Sequence, residues 1–212
     1  MRTLFISLTL LLTFSTVFGQ KLKKVTSEHQ SPPFKEKFYV LKSDETTRQG
    51  AYIKEVRKTV WVKGQYQNDI KVGVWEYYDM KGKLAHKLNV ETGELLYNRF
   101  EDETKNFDKS KYSRPAILLG GTSTIYKNVM YLLRYPAEAR IANTQGKVYV
   151  KFIVDELGKM GNSQVIEGIG DGCDEEAVRI MNLVDQEWLP ALDLDGKPIK
   201  SEITLPITYR LL

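Results

Sequence analysis

The sequence IKSEITLPITYRL, residues 199–211, has the most regular pattern in the chain and decides its fold. Its odd-numbered positions are apolar from Ile199 to Leu211 except at Ser201, and most even-numbered positions are polar or charged. Because successive side chains of a strand point to opposite faces of a sheet, this alternation predicts a half-buried β-strand. Pro206 lies inside the strand and has no N–H to donate to a neighbour. The strand is therefore predicted to lie at the edge of its sheet.

The preceding residues predict three helices and two further strands. The helix signals are caps, a proline stop and an acidic first turn, and the strand signals are period-two alternations next to glycine turns. The helices are predicted from Thr122 or Ser123 to the stop at Tyr135-Pro136, over 137–142 and over 173–185, and the strands over 146–154 and 162–167.

Taken in order, these elements resemble the C-terminal domain of the TonB family over about residues 120–212. The resemblance implies an α+β fold, with a three-stranded antiparallel sheet and helices on one face. It also implies binding of outer-membrane receptors by addition of an extended receptor segment, the TonB box, to the open edge of the sheet. The motifs that carry it are Tyr135-Pro136, Ala139-Arg140, the alternating valines of 146–154, Gly158, Asp174-Glu175, Ala177, Trp188-Leu189-Pro190-Ala191, Gly196, Pro198 and Pro206-Ile207.

The resemblance implies two groups of partner-binding residues. One group is the strand that would accept the receptor segment, and the other is the helix stop, which also meets receptors in the family. Plainer interpretations stay open, since charged residues and a proline also protect an ordinary edge strand from aggregation, and a Tyr-Pro pair also simply ends a helix. The candidates are Ile199, Lys200, Ser201, Glu202, Ile203, Thr204 and Leu205 in the strand, and Arg134, Tyr135 and Pro136 at the stop.

Residues 38–98 predict a β module of another kind. Glycines at 64, 73, 82 and 93 recur at short intervals, and most are followed two residues later by a large apolar residue. The alternation around Trp75 and Tyr77 places aromatic side chains on one face of a pleated ribbon. The stretch from Gly73 to Leu84 resembles the MORN-type, antitoxin-like repeats of secreted bacterial proteins, although a plain antiparallel meander accounts for the same residues. Either interpretation predicts an all-β meander without an evident site.

The remaining segments are predicted to be a targeting signal and connectors. Residues 1–19 combine a positive charge, a short apolar run and Val17-Phe18-Gly19, which is the layout of a cleaved secretory signal peptide. The polar residues 20–37 are expected to form a flexible leader, and the charged residues 99–119 a linker. The protein is therefore predicted to lie in the periplasm. An uncleaved signal would instead anchor it in the inner membrane, facing the periplasm.

Composition argues against other functional classes. The formal net charge is +4, but Lys and Arg are interspersed with Asp and Glu, so nucleic acid is not a predicted partner. Cys173 is the only cysteine, and the only histidines, His29 and His86, are not credible bases for it. No enzyme activity, metal or cofactor is predicted. The remaining enzymatic interpretation rests on Cys173 at a helix N-terminus, where the pKa of a thiol is lowered.

The sequence thus predicts a periplasmic TonB-like protein that binds outer-membrane TonB-dependent receptors, or another envelope protein, by strand addition in energy-coupled transport. The alternative is a stand-alone envelope scaffold or cell-wall-binding module without force transduction. That alternative arises because the β module occupies the place where a transducer of the family needs a long proline-rich spacer. Contact with the membrane is expected to be indirect, unless the signal is uncleaved. Open sheet edges would also let two copies pair as a homodimer.

Overall fold

A computed structural model of the protein describes residues 20–30, 32–100, 107–184 and 186–211. The described chain is an α+β protein, with a long antiparallel β meander followed by a three-stranded sheet with helices. This is the predicted fold class. The predicted signal peptide, residues 1–19, lies outside the described residues.

The meander is one sheet of seven strands, in which each strand pairs antiparallel with the next along the chain. Register shifts interrupt every pairing except that of the first two strands. The strands are β1 (Leu22–Gln30), β2 (Pro33–Leu41), β3 (Arg48–Val56), β4 (Thr59–Gln67), β5 (Ile70–Tyr78), β6 (Leu84–Asn89) and β7 (Glu94–Asn98).

Aromatic side chains fill one face of the meander, as the alternation in β5 predicted. Trp75 is fully buried, whereas its neighbour Val74 is 45% exposed. The centroid of the Trp75 ring system lies 5.4 Å from that of Tyr52 and 5.2 Å from that of Tyr66. These three rings form the centre of the meander's core, where burial and edge-to-face geometry both stabilise the sheet.

The prediction of a flexible leader over residues 20–37 is wrong, because β1 and most of β2 occupy it. Nine consecutive residue pairs join the two strands. The sequence shows no apolar period in β1 because this edge strand has no buried residue. The backbone ladder to β2 holds it in place, and polar side chains do not prevent such a ladder. Phe34 and Phe38 of β2 pack against the aromatic core.

The predicted linker, residues 99–119, also ends inside the folded structure. Its residues 101–106 lie outside the described part of the chain. Near its end, β8 (Ile117–Leu118) pairs with β11 (Trp188–Leu189). The three residues from Ile117 to Leu119 are each 5% exposed. The linker prediction is therefore wrong for these three residues, which are packed core positions.

The C-terminal part contains three helices and a three-stranded sheet. The helix predicted over 137–142 and the strand predicted over 146–154 have the observed bounds. The elements besides β8 and β11 are α1 (Thr122–Leu132), α2 (Ala137–Ala142), β9 (Gly146–Val154), β10 (Met160–Glu167), α3 (Cys173–Leu183), β12 (Ala191–Leu192), β13 (Pro198–Ile199) and β14 (Ser201–Tyr209). The order in the sheet is β10-β9-β14, all antiparallel, and β12 pairs with β13.

Helices α1 and α3 cover one face of the three-stranded sheet. Alternate residues of β9 are fully buried there, and so are the inward residues at the end of β14. The opposite face carries polar residues such as Lys147 and Thr208, which are exposed. The shared core comprises Val148, Val150, Phe152, Val154, Ile207 and Tyr209 of the sheet, Ile125 and Val129 of α1, and Ala177, Ile180 and Met181 of α3.

Helix α1 begins differently from the sequence prediction. The predicted caps Thr122 and Ser123 lie inside or at the first position of the helix, and the N-cap is Gly121, with no side-chain cap. Gly121 has a φ of 82°, and a Cβ there would lie 2.4 Å from the Phe100 ring. Both the backbone conformation and the packing therefore require glycine.

The meander and the C-terminal part share a packed interface. Leu119 and Leu189 join the aromatic core of the meander. The Glu187 carboxylate accepts a hydrogen bond from the Tyr77 hydroxyl at 2.8 Å and pairs with Lys71 Nζ at 2.6 Å. Apolar burial and a bridging carboxylate therefore both hold the two parts together.

Candidate partner-binding edge

The predicted accepting strand lies at the edge of the C-terminal sheet. β14 pairs with β9 over nine consecutive residue pairs, from Ser201 opposite Val154 to Tyr209 opposite Gly146. Within the described ranges, no strand pairs with the other side of β14. The backbone groups on that side are therefore not used by a strand of the chain itself.

Residue parity determines which backbone groups of β14 face outward. The Leu211 N–H donates to Gln145 Oε1 at 3.1 Å, and Gln145 directly precedes β9. Because the N–H and C=O groups of successive strand residues alternate between the two sides, odd residues face β9 and even residues face outward. Pro206 is even, so its missing N–H costs no bond to β9. Outward N–H groups remain at Glu202, Thr204 and Thr208.

Five of the seven candidate strand residues belong to β14, which begins at Ser201. Ile199 belongs to β13 and pairs with Ala191, and Lys200 lies between β13 and β14. These two residues lie outside the β14 edge, because the turn after Asp193 folds β13 back onto β12. The other five candidates, up to Leu205, form the first half of β14.

Side chains in this half of β14 alternate between core and solvent. Ile203 and Leu205 pack against the core, whereas Thr204 is exposed. The Glu202 side chain is 64% exposed, and its carboxylate lies 3.4 Å from Lys151 Nζ. An exposed ion pair of this kind contributes little stability. A segment that approached this edge would therefore meet backbone groups, exposed polar side chains and one weak ion pair.

The second candidate group lies near the other end of β14. The Tyr135 ring contacts the Tyr209 ring edge-on at a centroid distance of 5.7 Å, and its hydroxyl donates to the Thr144 carbonyl. Pro136 is the N-cap of α2. At roughly 3.3 Å per residue, β14 spans about 26 Å from Ser201 to Tyr209. The structure therefore does not bring the two candidate groups together, but one long extended segment would reach both.

Glu176 of α3 holds the backbone at the helix stop. Its carboxylate accepts a hydrogen bond from the Arg134 N–H at 2.7 Å and pairs with Arg179 at 2.6 Å. Arg179 also donates to the Leu132 carbonyl at 2.8 Å. Burial opposes the charge on Glu176, but the Arg179 guanidinium and the Arg134 N–H outweigh it and lower the pKa of the carboxyl. From the sequence, Glu176 is only part of the acidic first turn that signals a helix, so this contact was not predicted.

The sheet β10-β9-β14, with α2 and α3, occupies residues 137–209. Residues 132–211 match the family model of the Gram-negative bacterial TonB protein C-terminal. The matched part, which includes the whole three-stranded sheet and not the meander, is named the TonB C-terminal domain after this match. Comparisons with curated proteins and with solved structures gave no match.

The matched family is associated with transport at the cell envelope. The TonB C-terminal family is a non-catalytic, transport-associated domain that interacts with envelope proteins such as outer-membrane receptors, and TonB family proteins face the periplasm. The domain indicates a TonB-like protein involved in envelope energy transduction. Among the described residues, no helix is long and apolar enough to cross a membrane. The resemblance of residues 38–98 to MORN-type repeats lies outside the match and stays a prediction.

Cys173, on which an enzymatic interpretation rested, is a core residue of the TonB C-terminal domain. It is fully buried, and burial together with Asp174 and Asp171 raises the pKa of its thiol. A raised pKa keeps the thiol protonated near neutral pH, so the effect expected from a helix N-terminus is outweighed. In the described ranges, no group of three or more His, Cys, Asp or Glu residues is placed to hold a metal ion.

Replacement of Cys173 by serine is expected to leave partner binding unchanged and to lower the free energy of unfolding by about 1 to 3 kcal/mol. The stability cost arises because a hydroxyl would be buried in an apolar core. Urea denaturation followed by circular dichroism measures it, and Cys173→Ala, which buries no hydroxyl, serves as the control. Loss of binding in a variant of normal stability would contradict a purely structural role.

The sequence did not predict the role of two polar residues that hold the TonB C-terminal domain against the meander. One is Glu187, described above. The other is His86, whose Nδ1 accepts a hydrogen bond from the Gly120 N–H at 3.1 Å. Each lies between one apolar and one polar residue, and no local pattern distinguishes it from a surface position.

Proposed function

We propose that the protein binds outer-membrane TonB-dependent receptors by adding an extended receptor segment to the outer edge of β14, as one step of energy-coupled transport. The observation that carries the proposal is the outward backbone of Glu202 and Thr204 on a regular edge strand inside a TonB C-terminal domain. Each of these residues presents one donor and one acceptor to an incoming strand. Backbone bonds of this kind supply affinity with little dependence on side chains.

Pro206 divides the outer edge into two unequal parts. Before it, the outward residues Glu202 and Thr204 offer both N–H and C=O groups. At Pro206 the donor is missing, so an added strand would lose one hydrogen bond there. The continuous part of the ladder is therefore the stretch from Ser201 to Leu205, and we infer that the receptor segment is held there.

The helix stop would contact the far end of the same segment. Tyr135 packs on Tyr209 at the end of β14, and the Arg134 side chain is exposed beside it. Because Glu176 fixes the backbone of Arg134, this corner is rigid before a partner arrives. A rigid corner lowers the conformational entropy cost of binding. The proposal also includes export by the predicted signal peptide and a periplasmic location.

Thr204→Pro tests the proposal. The substitution removes an outward N–H and places a ring where an added strand must approach, while the bonds to β9 come from odd residues and are kept. We expect binding of TonB-box peptides and of purified receptor plugs to weaken at least tenfold. Isothermal titration calorimetry measures the affinity, and circular dichroism checks that the fold is retained.

The matched control is Thr26→Pro on β1, the edge strand of the meander. The Lys42 N–H donates to the Lys21 carbonyl at 2.9 Å, so odd residues of β1 face β2 and Thr26 faces outward. This variant should bind receptor segments as the native protein does. Equal binding by the native protein and Thr204→Pro would refute strand addition at β14. Retention of the native protein on peptidoglycan without any binding of receptor segments would support the scaffold alternative instead.

A further inference from the structure

The first strand of the meander is a second open edge, and among the edges of the described sheets it is the longest one without proline. The described sheets of three or more strands end at β1, β7, β10 and β14. β7 has five residues, the β10 pairing contains register shifts, and β14 contains Pro206. β1 has nine residues, no proline and an uninterrupted register. Short length, irregularity and proline protect these other edges, whereas the protection of β1 is limited to charged residues such as Lys23, Lys24 and Glu28.

Side-chain burial does not account for the position of β1. None of its residues is buried, and only Val25 and Ser27 are half-buried. Within the described chain, its order is therefore maintained by the backbone ladder to β2 and by exposed ion pairs such as that of Lys23 with Glu45. A strand exposed on both faces and on its outer edge leaves a complete row of donors and acceptors facing solvent.

The backbone orientation of β1 fixes which residues an added strand would meet. The bond from the Lys42 N–H to the Lys21 carbonyl places odd residues toward β2. The register of β1 is regular, so this parity holds along the whole strand. The outward residues are Leu22, Lys24, Thr26, Glu28 and Gln30.

The charges on these outward residues are self-complementary. Lys24 lies two residues before the central residue of the strand, Thr26, and Glu28 lies two residues after it. If two copies of β1 run antiparallel with Thr26 opposite Thr26, Lys24 of each copy lies opposite Glu28 of the other. The same alignment overlaps the full strands, so Leu22 lies opposite Gln30. A shift of two residues in either direction separates both charge pairs.

We propose that two copies of this chain associate through β1 in this full-overlap, antiparallel register. The two meanders then form one continuous sheet across a two-fold axis at Thr26. Five outward residues on each strand provide about ten backbone hydrogen bonds. Glu28, which already pairs with Lys35 of its own chain at 2.5 Å, gains a second cation from the other copy. This association is independent of receptor binding, because β1 and β14 belong to different sheets.

The dimer is expected to depend on protein concentration and on salt. A single pair of strands buries less surface than the roughly 1,000 Å² of a stable interface, so the association is a weak one. The two charge pairs are exposed, and their attraction is screened by salt. Sedimentation velocity over a concentration series, at low and at high salt, would show a dimer that weakens as salt is added.

A charge exchange tests the register. Lys24→Glu places like charges opposite each other in its own dimer, and Glu28→Lys does the same. We expect each variant alone to dimerise at least tenfold more weakly than the native full-length chain. In an equimolar mixture, the Lys24→Glu chain can pair with the Glu28→Lys chain. The introduced glutamate of the first chain then faces the introduced lysine of the second, and the native Glu28 of the first faces the native Lys24 of the second. The mixture should therefore recover dimer to within threefold of the native chain.

Edge prolines separate this proposal from receptor binding. Thr26→Pro removes the central outward N–H and should weaken the dimer at least tenfold, while Thr204→Pro should leave it unchanged. Circular dichroism of each variant verifies that the meander stays folded. The proposal is overturned if the native chain sediments as a monomer at millimolar concentration, or if the mixture dimerises no better than either charge variant alone.

Discussion

Replacement of Gly64 by alanine is expected to lower the free energy of unfolding by about 3 kcal/mol, because it forces a methyl group into a filled core. A Cβ at Gly64 would lie 2.2 Å from Cδ2 and 2.3 Å from Cε2 of Trp75. The Trp75 ring cannot move aside, since Tyr52 and Tyr66 pack on it and Lys71 Nζ lies 4.2 Å from its centroid. Urea denaturation followed by far-ultraviolet circular dichroism gives the change in stability.

Gly161→Ala is the matched control for this substitution. Gly161 is also a strand glycine, in β10, but a Cβ there has no heavy atom within 4 Å. Its alanine variant should unfold within about 0.5 kcal/mol of the native protein, as is usual for surface substitutions. If Gly64→Ala unfolded as close to the native protein as that, the tight packing of Trp75 against β4 would be contradicted.

The C-terminal elements were predictable because their signals are local. The alternation in β9 and the Tyr135-Pro136 stop need no knowledge of distant residues, and β9 and α2 have the predicted bounds. The same holds for the aromatic face of β5, where Trp75 and Tyr77 are buried as predicted. A strand that buries every second side chain shows an alternation of apolar and polar residues, which can be recognised in a single sequence.

The leader and the linker were mispredicted for two different physical reasons. β1 is stabilised by backbone hydrogen bonds to β2 and buries no side chain, so it carries no apolar period. The segment from Ile117 to Leu119 is buried between the meander and the TonB C-terminal domain, but three apolar residues are too few to show a period. Polarity alone therefore does not distinguish an edge strand from a flexible segment.

The sequence predicted which residues of β14 face the core, but it did not predict where the open edge of this strand begins. The sequence alternation identified which residues of β14 face the core, and Pro206 indicated an edge. The place where the edge begins depends on the pairing of Ile199 with Ala191, which is a contact between residues on either side of a turn. The partner of Glu176 at the helix stop is likewise set by the packing of α3 against α1, which sequence spacing does not reveal.

Acidification is expected to destabilise the protein through His86, at the interface of the meander and the TonB C-terminal domain. Burial, together with the charge of Arg99, lowers the pKa of His86 to about 4, although its contact with Asn98 opposes the shift. Protonation of Nδ1 would also remove the acceptor of the Gly120 N–H. The pKa in the unfolded chain is about 6.5, so between these values the unfolded chain binds the proton more readily. The stability that neutral His86 contributes is therefore complete above about pH 6.5 and is lost as the pH falls towards 4.

The expected loss is about 2 kcal/mol at pH 5 and about 3 kcal/mol at pH 4, relative to pH 7. Urea titrations at a series of pH values give the slope, and His86→Asn tests its origin, because the Asn oxygen can replace Nδ1 as an acceptor and does not titrate. That variant should be less stable at pH 7, since it lacks most of the ring, but its stability should change much less between pH 7 and 5. His29→Gln is the control, because it removes the other histidine of the chain, which is exposed in β1 and does not belong to this interface. If His86→Asn kept the slope of the native protein, the acid sensitivity would belong to carboxylates elsewhere in the fold and not to this interface.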